Sequence, residues 1–116
     1  MNNRETGARY EALAAAYLMQ EGFQILEKNY RIRSGEIDLI AREGRYLVFI
    51  EVKYRSSLRE GSPLEAVNQK KQRVIIQTAR HYLLSHGYSE DTPCRFDVVG
   101  MDGDRVTHIR DAFWAE

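Results

Sequence analysis

Residues 35–56 read GEIDLIAREGRYLVFIEVKYRS, two apolar runs with charges set into them and a Glu43-Gly44 break between. Asp38 stands between Ile37 and Leu39, while Glu51 and Lys53 interrupt the run that opens at Tyr46. Strand-forming residues on either side of a glycine turn predict a hairpin, with strands over 36–42 and 46–54. Side chains alternate across a strand, so the register decides where the charges go. An even loop, with Ala41 facing Tyr46, gathers Ile37, Leu39, Ala41, Tyr46, Val48, Ile50 and Val52 on one apolar face. The other face then carries Ile40, Leu47 and Phe49 at the turn end, and Glu36, Asp38, Glu51 and Lys53 at the far end. An odd loop would set Asp38 among Val48, Ile50 and Val52, at a cost of about several kcal/mol for an unpaired buried carboxylate. Burial therefore selects the even register.

In that register Asp38 lies opposite Phe49 and Glu51 opposite Glu36, which makes Asp38 and Glu51 diagonal neighbours with Cβ atoms roughly 7–8 Å apart. Two carboxylates about 4 Å apart repel by about 4 kcal/mol at an effective dielectric near 20. Such a pair needs a cation, a shared proton or distance. Oxygen ligands alone suit Mg²⁺ or Mn²⁺ rather than zinc. Lys53 projects on the same side, where it can hold a phosphate or orient a water molecule.

The flanking sequence extends this hairpin into a layered fold. Ala8, Ala12, Ala15, Leu18 and Met19 recur at helical spacing over 5–21, and Gly22 can end that helix. Phe23 to Arg33 reads as a strand. After the loop RSSLREGS, Ser62-Pro63-Leu64-Glu65 combines an N-cap serine, a proline at the first helical position and a glutamate three residues beyond the cap. The stripe Leu64, Val67, Val74, Ile75, Thr78, Tyr82 carries the predicted helix to about Ser85, with Gly87 just past it. Strands over 95–101 and 105–110 flank an Asp102-Gly103 turn. The order α-β-β-β-α-β-β predicts an α/β (α+β) fold, a central mixed sheet covered on both faces. Each helix carries one charge on its apolar stripe, Glu11 on the first and Lys71 on the second, and both stripes can face the charged end of the hairpin.

Bulk properties agree with one ordinary domain spanning residues 1–116, with 43% hydrophobic and 29% charged residues. Net charge is zero, so attraction to a polyanion has to be local. Residues 28–59 hold eight basic residues against four acidic ones. Among them Arg31, Arg33, Arg55 and Arg59 flank the charged cluster, either as a solvated rim or as phosphate contacts. Cys94 is the only cysteine. With no disulfide possible, no signal-peptide core and no long apolar run, a cytoplasmic protein outside the membrane is expected. His81, His86 and His108 lack metal-ligand spacing and read as surface residues, Cys94 as inert, and Asp97 as a partner for Arg95 or an arginine of the loop.

Taken together, Asp38, the Glu51-x-Lys53 pair about a dozen residues on, and a preceding helix bearing Glu11 resemble the PD-(D/E)XK nuclease superfamily. The closer resemblance is to the YraN-like family of uncharacterised bacterial proteins. It covers nearly the whole chain, through Gly7 to Glu11, Asn29-Tyr30-Arg31, GEIDLIA at 35–41, FIEVKYR at 49–55, Lys71-Gln72, CRFDVV at 94–99 and RDAF at 110–113. The helix glutamate and the Asp…Glu-x-Lys core are also similar to archaeal Holliday-junction resolvases. The resemblance implies a restriction-endonuclease-like three-layer αβα core. It implies metal ligation by Asp38 and Glu51, assisted by Glu11, and catalysis by Lys53. Ile37 stands where the superfamily name has proline. Lys71, Arg95 and Asp97 match the YraN-like pattern without a role in the nuclease motif.

The expected function is therefore a Mg²⁺- or Mn²⁺-dependent DNA endonuclease acting on branched, flapped or single-stranded DNA, with Arg31, Arg33, Arg55, Arg59 and Lys71 on the nucleic acid. The alternative is a non-catalytic nucleic-acid-binding module that assists a DNA-processing partner; a third reading is a purely structural interaction protein. Analogy with the resolvases suggests a homodimer, with Phe113 and Trp114 of the terminal RDAFWAE as interface.

Overall fold

A computed structural model describes residues 3–55 and 67–115 of the chain. Its elements follow the order α1 (Asn3–Gln20), β1 (Gln24–Ile32), β2 (Gly35–Glu43), β3 (Tyr46–Arg55), α2 (Gln69–Ser85), β4 (Cys94–Asp102) and β5 (Arg105–Phe113). The five strands form one sheet in sequence order. β1, β2 and β3 make an antiparallel meander, β3 and β4 run parallel across the α2 connection, and β4 and β5 are antiparallel. The sheet is mixed, as the element order predicts.

Alternation divides the core in two. Leu39, Ala41, Val48, Ile50 and Val52 face α1, where Ala14, Ala15 and Leu18 are buried against them. Two small alanines let that helix approach the sheet closely. Ile40, Leu47 and Phe49 face α2, with Ile75, Ala79 and Tyr82 above them and Phe96 and Val98 beside. The chain is three layers, helix, sheet and helix. At Gly35 a Cβ would collide with the Thr78 hydroxyl and sit 2.7 Å from Val74 Cγ1, so α2 rests on the β2 backbone itself.

The hairpin has the expected parity but a different register. Glu43 pairs with Tyr46, leaving a two-residue turn, and Gly44 takes φ 59° at its first central position, as a type II′ turn requires. Every partner therefore shifts by two residues from the expected pairing, and faces are preserved because the shift is even. One residue does change sides. Ile37, expected beside Leu39 and Ala41, packs in the α2 cluster. The alternation breaks at Asp38: pairing with β3 ends at Leu39–Ile50, and pairing with β1 skips Asn29, which has φ 54°.

A continuous helix from Ser62 is corrected. The Ser62-Pro63-Leu64-Glu65 signal lies outside the described residues, and the helix seen begins at Gln69. Asn68 is its N-cap, extended at φ −72° and ψ 173°, with its side-chain oxygen accepting from the Lys71 amide at 2.9 Å. Val67, read as helical, precedes that cap yet is buried in the α2 cluster. β5 also runs past Arg110 to Phe113. Phe113 is buried and stacked on Phe96, with centroids 5.1 Å apart, so it is core rather than an exposed interface residue; Trp114 is 71% exposed. Among the described residues no helix is long and apolar enough to cross a membrane.

Candidate functional site

The site forms where β2 and β3 cease to pair. Continuing the ladder by one residue past Leu39–Ile50 sets Asp38 directly opposite Glu51, closer than the diagonal relation expected. Here a side chain replaces the backbone ladder: the Val52 amide donates to Asp38 Oδ2 at 2.8 Å. The two carboxyl groups face each other within hydrogen-bonding reach. Burial, the Glu51 charge and that hydrogen bond push the Asp38 carboxyl up to about 8, against the pull of the Val52 amide. Asp38 thus holds a proton at neutral pH.

Glu51 is 4% exposed and, among the described residues, is paired with two lysines. Lys53 Nζ and Lys71 Nζ each lie 3.4 Å from its Oε2. Lys71 comes from the first turn of α2, which closes the site from that layer. The site therefore sets Glu51 between two lysine side chains on one side and the Asp38 carboxyl, pushed toward its protonated form, on the other.

Glu11 approaches from α1. Its carboxyl is shifted upward by desolvation and by the Glu36 and Glu51 charges, while a hydrogen bond from Asn29 and the Arg31 charge pull it down. Asn29 is the link that sequence reasoning missed. Its left-handed backbone, which asparagine tolerates better than most residues, marks the irregularity beside Asp38. Among the described residues, no three histidine, cysteine, aspartate or glutamate side chains converge closely enough to hold an ion. The close pair is Asp38 and Glu51, with Glu11 at electrostatic range.

Of the flanking arginines, Arg31 is exposed and pairs with Glu36 across β1 and β2, and Arg33 is exposed in the turn that follows. The side chain of Arg55 and all of Arg59 lie outside the described residues.

A second polar cluster lies on the α1 side of β4 and β5. Asp97 is 1% exposed; it accepts from Arg95 Nε at 2.9 Å, His108 Nε2 at 2.8 Å and the Asp111 amide at 3.0 Å. Desolvation pulls this carboxyl upward, but those three donors outweigh it and hold it below the ordinary carboxylate range. The expected Asp97–Arg95 pair is present. His108 corrects the surface reading: its side chain is 5% exposed, with Nδ1 3.3 Å from the Tyr17 hydroxyl. His81 and His86 are exposed as expected. Cys94 is half-buried, and burial alone raises its thiol, which leaves it a poor nucleophile.

Comparison with known proteins places this geometry in a family. Residues 10–101 match the uncharacterised protein family UPF0102. A UPF0102 protein of Lachnoclostridium phytofermentans is 51% identical over 113 residues, covering 97% of this chain and 96% of its own. One from Chlorobium chlorochromatii is 50% identical over 122 residues, covering 97% and 93%. Another, from Aeromonas hydrophila subsp. hydrophila, is 44% identical over 108 residues, covering 92% and 83%. With matches of this extent and identity, the chain belongs to the UPF0102 family.

Proposed function

We infer that the chain is a Mg²⁺- or Mn²⁺-dependent endonuclease that hydrolyses phosphodiester bonds in DNA, with branched, flapped or single-stranded DNA as substrate. The observation that carries this reading is the convergence of Asp38 and Glu51 where the ladder ends, with Lys53 3.4 Å from Glu51. The donor set fits a hard divalent cation: two carboxylates, one of them forced to keep a proton that a cation would displace. When bound, such an ion supplies Lewis-acid charge at a phosphoryl oxygen and acidifies a coordinated water. Asp38 and Glu51 would hold it, with Glu11 as the third carboxylate on the α1 side. The Val52 amide fixes the Asp38 carboxyl against the strand, so the ligand is oriented before anything binds. Lys53, 3.4 Å from Glu51, would position the nucleophile and offset negative charge developing on the phosphate. Lys71 and the flanking arginines contact neighbouring phosphates.

The test is cleavage of a panel of branched, flapped, single-stranded and duplex DNA with and without Mn²⁺. Cleavage that requires metal and is lost in both Asp38→Ala and Lys53→Ala supports the reading; activity surviving both substitutions refutes it.

One observation favours a second reading. Glu51 is already paired with two lysines, and among the described residues no third carboxylate joins it and Asp38 closely enough to hold an ion. That arrangement suits a non-catalytic nucleic-acid-binding module assisting a DNA-processing protein, for which binding is salt-sensitive and metal brings no turnover.

A further inference from the structure

The α2 segment QKKQRVIIQTARHYLLS contains Lys70, Lys71, Arg73 and Arg80 and no aspartate or glutamate. Its first turn has two sides. Lys71 reaches inward to Glu51, while Gln69 and Gln72 border a groove of about 540 Å³ that runs along the helix past Arg73, Gln77 and Arg80 to Trp114. Arg73 and Arg80 are seven residues apart, two helical turns, so they share one face about 10 Å apart. Both are exposed. Trp114 closes the far end, its ring 71% exposed and its Nε1 donating to Asp111 Oδ1 at 3.0 Å. That bond fixes the orientation of an indole whose apolar face remains in solvent.

We propose that this groove binds a single-stranded segment of DNA, with Arg73 and Arg80 on successive phosphates and a base stacked on Trp114. Charge complementarity identifies a polyanion: the helix offers cations and amides with no competing carboxylate. The exposed indole identifies a single strand, because a duplex hides its base faces while an unpaired base offers one for stacking. Gln69 and Gln72, which border the groove, share the first turn of α2 with Lys71, so a strand whose scissile phosphate lies at Asp38 and Glu51 is within about one helical turn of it. Only this last point rests on the proposed nuclease reading. The binding itself does not need metal.

Trp114 is the only tryptophan in the chain, so its fluorescence reports the contact directly. Metal-free protein in chelator is titrated with an oligothymidylate of about 16 nucleotides, the upper end of single-strand site sizes. Quenching on binding is expected, with weaker binding of a blunt duplex. Anisotropy of a labelled oligothymidylate then reads the variants. Trp114→Ala should weaken binding about 5- to 150-fold, and Trp114→Phe should restore most of it. Replacing Arg73 and Arg80 together by Gln should lower the slope of log K against log salt by about 1.4, two single-strand phosphates. Quenching that persists in chelator, where no metal-dependent cleavage takes place, supports the groove whatever becomes of the metal site. Unquenched fluorescence with bound oligonucleotide, equal affinity for duplex, or equal quenching by polyglutamate would each overturn the proposal.

Discussion

Asp38 and Asp97 are both aspartates set into strands, and their surroundings drive them in opposite directions. Asp38 meets one amide and a facing carboxyl, so burial and the Glu51 charge dominate and its pKa is pushed up to about 8. Asp97 meets a guanidinium, an imidazole and an amide, and its pKa falls. The folded protein therefore binds an extra proton at Asp38 from about pH 4 to about pH 8, and metal-free stability declines as pH rises through that window. Asp97 contributes stability above its ordinary pKa, and that is lost as pH falls below it. Urea midpoints should peak at roughly pH 4–5, and Asp38→Asn should flatten the alkaline side. A profile rising steadily from pH 5 to pH 8 would contradict the assignment. The Val52 amide, bonded to Asp38 Oδ2, should titrate with the same midpoint in a proton–nitrogen correlation spectrum. Asp97→Ala leaves Arg95 with Glu43 Oε1 at 2.8 Å but takes the acceptor from His108 Nε2 and the Asp111 amide, and should cost about 1–3 kcal/mol, read by urea denaturation. The sequence shows Arg95 two residues before Asp97, so that pair was legible. His108 was not, because it comes from the neighbouring strand, paired with Val99 and so diagonal to Asp97, a relation that only the strand register reveals.

The hairpin shows what a pattern of alternating residues can and cannot decide. Burial fixes the parity of the pairing, since only an even loop keeps Asp38 away from Val48 and Ile50. It does not fix the length of the turn, because loops of two and four residues leave the faces identical. The difference brings Asp38 from a diagonal to a direct relation with Glu51, so the site was legible as a set of residues but not as a distance. The second helix shows the same limit. Ser62 and Asn68 are both good capping residues, and only the tertiary contact of Val67 with the sheet sets residue 67 apart from the helical stripe. Where α2 meets β2 the tolerance is smallest. Gly35→Ala should lift α2 from the sheet, costing about 1–3 kcal/mol by urea denaturation. The same change should draw Lys71 away from Glu51, and Thr78→Ala, which removes the hydroxyl in the way, should recover part of the loss.

With a net charge of zero, the molecule has no long-range field, and its recognition of any polyanion depends on how α2 and the site concentrate their cations. A bound divalent ion should register as added stability. Mn²⁺ at a hundred times its Kd stabilises by about 2.7 kcal/mol, and the thermal shift should vanish in Asp38→Ala. Layer number, element order and the two-faced core follow from the sequence pattern because each depends on many residues at once. Phe113 depends on one, and it went inward as β5 ran on past Arg110. The two edges of the sheet have a property in common. β1 and β5 are the outer strands, and the two non-glycine residues with positive φ among the described residues, Asn29 and Asp111, lie one on each. Such kinks disturb the row of free amides and carbonyls that another chain would need for strand addition. Copies of this protein should accordingly resist joining sheet to sheet into fibrils, and a two-fold partner would have to dock against the helical layers.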